Sequence, residues 1–304
     1  MTDLLTFSPE VASALADKKP VLAFESTIIS HGMPYPRNAE TAREAERIAR
    51  TAGAVPATIA VLDGRIVVGL TEPQLERLAT EKDVLKVSRR DMAWALAARR
   101  MGATTVSATM LAARLAGISV FATGGIGGVH MGVEDTFDIS ADLTELASTS
   151  VMVVSAGAKA ILDLPRTLEV LETLGVPVVG FGASEFPAFY SRSSGLNLSL
   201  RVDTPAEAAS LLQAQRALGL PQGILVANPV PQEWEIPRKT MERWIDQALQ
   251  DLSTRGVTGK AVTPFLLSRI VELSGGKSLE TNVKLFHNNV RLGSAIAVEL
   301  SRMP

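Results

Sequence analysis

The sequence predicts an α/β fold: a three-layer α/β/α domain with a largely parallel or mixed sheet and a helical C-terminal elaboration. Three observations predict it. Short continuous apolar runs alternate with amphipathic segments, the pattern of strands buried on both faces under helices. Loops of small residues follow those runs, where open α/β sheets bind their ligands. After Pro237 the periodic segments are mostly helical.

Taken in order, Val21 to Phe24 reads as a buried strand leading into a loop from Glu25 to Asn38, then a helix from Ala39 to Ala52. Thr58 to Leu62 is a second strand, and Asp63-Gly64 reads as a two-residue hairpin turn into Arg65 to Gly69. Further apolar runs lie at Val84 to Ser88, Ile118 to Ala122, Val151 to Ser155, Pro177 to Phe181 and Ile224 to Ala227. Helices are expected over Asp91 to Met101, Ala141 to Ala147, Thr167 to Leu174 and Ala206 to Leu218. Phe189 to Val202 is less regular, and its Leu198, Leu200 and Val202 alternate as a short edge strand does. The tail offers helices at Thr240 to Leu252, Pro264 to Leu273 and Ser278 to Leu300. No long Pro/Ser/Gly linker interrupts this order, so residues 1–304 read as one domain.

Composition narrows the function. The 30 Lys+Arg and 32 Asp+Glu leave a net charge of −2, which argues against a broad nucleic-acid-binding surface. Aromatic residues make up only 5%, leaving few platforms for stacking single-stranded bases. The absence of cysteine excludes thiolate nucleophiles and cysteine-ligated zinc, and fits a reducing compartment. Met1-Thr2-Asp3-Leu4-Leu5 lacks the basic start and apolar run of a secretory signal, and no apolar stretch approaches the ~20 residues of a membrane helix. A cytoplasmic protein with no membrane partner is expected.

Two nucleotide motifs are nearly present and fail. Gly276-Lys277-Ser278 resembles the end of a P-loop, but Val271 stands where its first glycine belongs. Gly125-Ile126-Gly127 follows a strand, yet His130 replaces the third glycine of a dinucleotide fingerprint. The four glycines between positions 124 and 128 exceed what a turn needs, which favours a phosphate or oxyanion role for the loop from Thr123 to His130.

Several single residues draw notice. Glu25 ends an apolar strand at the ligand rim, either as a functional carboxylate or as a cap before Ser26 and Thr27. Glu134, Asp135, Asp138 and Asp142 form an oxygen-rich group that suits Mg²⁺ or Mn²⁺, with helix capping by Asp142 as the competing role. Lys159 follows Ser155-Ala156-Gly157-Ala158 at a strand end, near apolar surface that favours a neutral, nucleophilic amine. Lys86 ends another apolar run beside Ser88-Arg89-Arg90, as a phosphate anchor or a solvated charge. His31 and His130 sit in strand-end loops, His287 sits in the late helix, and a lone histidine is most often a structural hydrogen-bonding group.

At these residues the chain resembles the pseudouridine-5′-phosphate glycosidase family, also described as indigoidine synthase A-like. The strings that carry the resemblance are Glu25 to Pro34 (ESTIISHGMP), Lys86 to Asp91 (KVSRRD), Phe121 to His130 (FATGGIGGVH), Thr136 to Leu143 (TFDISADL), Ala156 to Lys159 (AGAK) and Val226 to Pro229 (VANP). Thr263 to Leu267 (TPFLL) and Thr281-Asn282 extend it into the tail.

The resemblance implies reversible cleavage of pseudouridine 5′-phosphate and water into uracil and ribose 5-phosphate, assisted by Mn²⁺, in a homotrimer. By that similarity Glu25 corresponds to the proton donor, Lys159 to the nucleophile and Asp138 to the metal ligand. Lys86, Val106, Ser140, Ala141 and Asp142 correspond to substrate contacts. Thr123 and His130, at the two ends of the glycine loop, join that set, as does Asn282. The implied chemistry suits these groups. A base bonded through carbon offers no glycosidic nitrogen or oxygen to protonate, so the usual pair of glycosidase carboxylates fits poorly. A lysine that attacks C1′ supplies an electron sink, and hydrolysis of the resulting Schiff base frees the sugar. Hydrated Mn²⁺ is expected to organise waters around uracil and the site. Without the resemblance, the residues point first to another lysine-dependent sugar-phosphate lyase or aldolase, then to a non-catalytic sugar-phosphate sensor, and third to a purely structural assembly protein.

Overall fold

The computed structural model describes residues 4–257 and 259–303. Met1-Thr2-Asp3, the start of the segment that lacks the features of a secretory signal, lies outside the described residues. Thirteen strands are present among the described residues: β1 (Leu5–Phe7), β2 (Val21–Phe24), β3 (Val55–Leu62), β4 (Arg65–Val68), β5 (Leu85–Val87), β6 (Gly102–Thr104), β7 (Val120–Ala122), β8 (Val129–His130), β9 (Met152–Ser155), β10 (Leu162–Asp163), β11 (Val178–Phe181), β12 (Leu200–Val202) and β13 (Ile224–Ala227). Eleven of them form one mixed sheet in the order β1-β4-β3-β2-β7-β9-β13-β11-β12, with β6 and then β5 branching from β3.

From β3 to β12 every neighbour on that path is parallel. The continuous apolar runs explain this block, since β2, β9 and β13 are buried along their whole length. Antiparallel pairing enters at the hairpin, where Leu62 opposes Arg65 across Asp63 and Gly64, both at positive φ as its turn requires. Helices cover both sides of the sheet. Lys277–Ser301 packs against β2, β7 and β9 and carries Arg37–Thr51 and Pro205–Ala217 beside it. Val106–Ala116 packs against β2, β3 and β4, with Ala141–Leu146 alongside. Among the described residues, no helix is long and apolar enough to cross a membrane.

Several boundaries differ from expectation. The helix expected from Asp91 to Met101 runs from Arg89 to Ala97, because Ser88 caps it and its backbone N–H donates to Asp91 Oδ2 at 3.0 Å. The edge strand expected from Leu198 shortens to Leu200–Val202, and it pairs in parallel with β11. Strands β1 and β6 and the helices Glu72–Thr80 and Val106–Ala116 are additions. The last is rich in small residues and has seven of its eleven residues buried, so it shows little of the polar-apolar period that marks a surface helix.

Candidate active site

Strand register assembles the site. Phe24 of β2 lies opposite Ala122 of β7, so the next residues, Glu25 and Thr123, are neighbours at the carboxyl end of the sheet. Glu25 is only 6% exposed, and its two carboxylate oxygens accept hydrogen bonds from the Thr123 and Thr27 hydroxyls. That pairing holds the carboxylate in one orientation. Ala122 in turn lies opposite Val154 of β9, and the two loops leaving these strands continue to pair. Ile126 N–H donates to the Gly157 carbonyl at 3.0 Å, and Lys159 N–H donates to the Ile126 carbonyl at 3.1 Å. Beyond them, β8 and β10 form a small ribbon with His130 opposite Leu162. The glycine loop and the lysine loop are therefore one backbone-bonded unit, which brings His130 and Lys159 to the same cleft. Lys86 arrives separately, from β5 at the branched edge.

The cleft has two chambers that share Glu25, Thr27, Lys86, Lys159 and Thr263. The outer one, about 320 Å³, is bordered by Ser88, Arg90, Val106, His130, Asp138, Ser140, Ala141 and Asp142. The inner one, about 70 Å³, is bordered by His31, Asn282, Phe189 and Leu267 among others. Most of the residues singled out in the sequence thus meet in one place. Thr123, Glu134, Asp135 and His287 border neither chamber: the Thr123 hydroxyl serves Glu25, Glu134 accepts from Arg166, and His287 lies against Thr41.

Glycines shape both chambers. A Cβ on Gly125 would stand 2.6 Å from the Phe189 ring, so the bare backbone lets that ring close the inner chamber. A Cβ on Gly127 would stand 2.2 Å from Ser140 Oγ and 2.8 Å from Asp142 Oδ2. That closeness decides the role of Asp142. Its Oδ2 accepts from Gly127 N–H at 2.8 Å and its Oδ1 from Ser107 N–H at 2.9 Å. Ser140, not Asp142, caps the helix Ala141–Leu146 through the Asp142 N–H at 3.2 Å. Asp142 therefore already occupies the anion position at Gly127, and a phosphate must find other donors.

Electrostatics leave both cleft histidines neutral at neutral pH. Burial pushes the basicity of His130 down, and the nearby Lys159 and Lys86 charges add to that, against an opposing pull from Asp138. Burial and the Lys86 charge likewise push His31 down. Asp138 is exposed, and among the described residues no group of three or more His, Asp or Glu could cage a metal. The donors that border the outer chamber fit a hydrated divalent ion held by one carboxylate.

Sequence reasoning passed over four contributors. Thr27 supports Glu25, and Phe189 walls the inner chamber. Asn289, fully buried, donates to the Thr123 carbonyl at 2.8 Å and accepts from Asn228 Nδ2 at 2.9 Å, tying the last helix to the ends of β7 and β13. Thr27 and Asn228 lie inside the strings that carry the resemblance, whereas no motif marks Phe189 or Asn289; for Asn289 the signal was a pair of polar residues, Asn288-Asn289, inside an apolar helical period.

Comparison with known proteins gives this arrangement its family. The model of the indigoidine synthase A-like proteins matches residues 10–299. The pseudouridine-5′-phosphate glycosidase of Caldanaerobacter subterraneus subsp. tengcongensis is 57% identical over 303 residues, covering 100% of this chain and 99% of its own. The protein of the same name from Jannaschia sp. is 60% identical, covering 99% of this chain and 100% of its own. Among solved structures, the prealnumycin C-glycosynthase AlnA, crystallised with ribulose 5-phosphate, superposes with a TM-score of 0.92 at 40% identity, covering 99% of this chain and 98% of its own. An indigoidine synthase A-like protein from Thermotoga maritima gives 0.89 at 39% identity, covering 98% and 97%. The chain belongs to the indigoidine synthase A-like family.

Proposed function

We propose that this chain is a pseudouridine-5′-phosphate glycosidase, acting as one catalytic unit. The observation that carries the reading is the meeting of Glu25, Lys86 and Lys159 at the waist between the two chambers. Full-length relatives of that name and a C-glycosynthase neighbour seen with a sugar phosphate support it. The outer chamber suits the phosphate, with Lys86 and Arg90 as cations and Ser88 and Ser140 as hydroxyl donors. The inner chamber suits a flat base. The anomeric carbon then falls at the waist, where remote binding energy holds it against Lys159.

Glu25 gives its proton to the ring oxygen as the C1′–O bond opens, and the Lys159 amine forms a bond to C1′. The adduct nitrogen loses a proton to the Glu25 carboxylate, and its lone pair then expels the base, whose ring carbon takes up a proton, leaving an iminium between C1′ and Lys159. Water hydrolyses it to ribose 5-phosphate and restores the amine. Thr123 and Thr27 keep the Glu25 carboxyl aimed throughout. Asp138 would hold a divalent ion such as Mn²⁺, which would offset negative charge in the outer chamber and order waters there. A homotrimer in the cytoplasm completes the proposal, and light scattering tests the assembly.

Uracil release from pseudouridine 5′-phosphate, with and without Mn²⁺, is the direct experiment. Borohydride reduction with ribose 5-phosphate should place a ribitol adduct on the peptide holding Lys159. A sugar-phosphate sensor would bind without either product, and an adduct on Lys86 would move the nucleophile.

A further inference from the structure

Among the described residues, three buried side-chain nitrogen or oxygen atoms lack a hydrogen-bond partner: His31 Nε2, Arg37 Nε and Ser150 Oγ. Only His31 borders the cleft. Burying a polar atom without a partner is unfavourable, so such an atom facing a cavity calls for a ligand group. The chemistry of that group follows from the ring. His31 ends the short helix Thr27–Ser30, and a hydrogen bond to the Leu85 backbone engages its other nitrogen. A ring N–H donated there fixes the tautomer and leaves a lone pair on Nε2. Burial and the Lys86 charge keep the ring neutral. His31 Nε2 is therefore an acceptor in search of a donor. A phosphate, which only accepts, cannot supply one.

The surroundings narrow the donor further. The ring shares its chamber with the Phe189 face, Ile28, Leu267 and the Asn282 carboxamide. Flat apolar walls with one amide and one lone acceptor match a planar imide better than a sugar hydroxyl. A uracil joined to ribose through carbon keeps N–H groups at both ring nitrogens. When uridine is overlaid on it through the glycosidic bond, the ring position that carries N1–H in the C-nucleoside carries C–H instead. We infer that His31 is a specificity-determining residue: its Nε2 accepts the N1–H that a C-linked uracil has and an N-linked uracil lacks. The inference rests on the pseudouridine-5′-phosphate reading above.

The test compares kcat/KM for pseudouridine 5′-phosphate and its 1-methyl analogue, in the native enzyme and in two variants. A site built around one substrate N–H rejects an analogue lacking it strongly, so the native enzyme should prefer the parent by at least about 100-fold. In His31→Leu the preference should shrink to roughly 10-fold or less, mainly through a raised KM for the parent. His31→Gln, which keeps a carbonyl acceptor, should restore part of it. Borohydride trapping of ribose 5-phosphate, which has no base, should be unchanged in both variants. Equal handling of the two substrates by the native enzyme overturns the inference, as does full preference retained in His31→Leu. If His31→Leu fails to fold, the same comparison in His31→Gln decides the matter, because a methyl clash alone would leave the preference independent of the residue at position 31. Failure of the native enzyme to release uracil from the parent would instead overturn the underlying reading.

Discussion

The two ends of the sheet make an instructive pair. At the amino ends of β2 and β7 lies a groove of about 660 Å³, lined by Lys18, Lys19, Ser119 and Arg216. At the carboxyl ends lie the two chambers of about 320 and 70 Å³. By volume the amino end wins. By chemistry it does not: its Lys19 pairs with Asp17 at the surface, and its Arg216 donates to Ser119 Oγ at 2.9 Å. At the carboxyl end a buried carboxylate, two lysines and two neutral histidines converge on one space. Parallel strands explain the asymmetry, since their loops leave in register and the residue after each strand meets the residue after its neighbour. A groove needs only missing atoms, whereas a reactive site needs groups held out of water.

The sharpest way to break this comparison is to remove one lysine from each end. Lys159→Ala should lower uracil release by at least about 10³-fold and abolish borohydride trapping, while pseudouridine 5′-phosphate still binds. Lys19→Ala, in the larger groove, should leave turnover at the native level. An active Lys159→Ala enzyme, or an inactive Lys19→Ala one, would reverse the assignment of the two ends.

Glu25→Gln sharpens it next. Glutamine can keep bonds to Thr123 and Thr27 but carries no transferable proton, so turnover should fall roughly 10²-fold. The melting temperature should hold, which separates a lost acid from a lost cap.

These two residues were also the most legible, and the reason is physical. Glu25 and Lys159 each follow a continuous apolar run, so the sequence announces a charge at a strand end. What a charge touches is another matter. Asp142 looked like a metal ligand or a cap, and it binds the N–H groups of Gly127 in the glycine loop and of Ser107 in the first turn of Val106–Ala116. The fold divides the same way. Strands of four or more apolar residues stand out from their own pattern, but Gly102-Ala103-Thr104 is a strand only because β3 and β5 flank it. The helix Glu72–Thr80 did carry a local signal, the Thr71–Gln74 capping box with Pro73 in its first turn.

Asn289 shows what supports the reactive end from behind. Asn289→Ala leaves the Thr123 carbonyl and Asn228 without their partner, at a cost of about 1–3 kcal/mol in urea unfolding. Because Thr123 also holds Glu25, turnover should drop with it, though by less than in Glu25→Gln. A loss of stability with native turnover would show that the glycine loop keeps its shape without the last helix.

The smallest effect separates a histidine that is merely buried from the two that face the cleft. His287 is buried on the last helix, with Nε2 3.1 Å from the Thr41 carbonyl, and it borders neither chamber. Burial pushes its basicity below the ordinary histidine value of 6.5, as it does for His31 and His130. In each case the unfolded chain takes up a proton more readily than the folded one. Their stabilising contribution is therefore present above pH 6.5 and is lost as pH falls through the lower folded value. His287→Gln, whose amide can donate to the same carbonyl, removes one of these three proton-linked contributions. Its stability should fall less steeply than the native protein's between neutral and mildly acidic pH, measured by urea unfolding at each pH. The pH profile of uracil release should stay as in the native enzyme, because His287 is outside the cleft. A shifted activity profile with an unchanged acid slope would mean that the last helix, not the cleft loops, sets the charge state of the site.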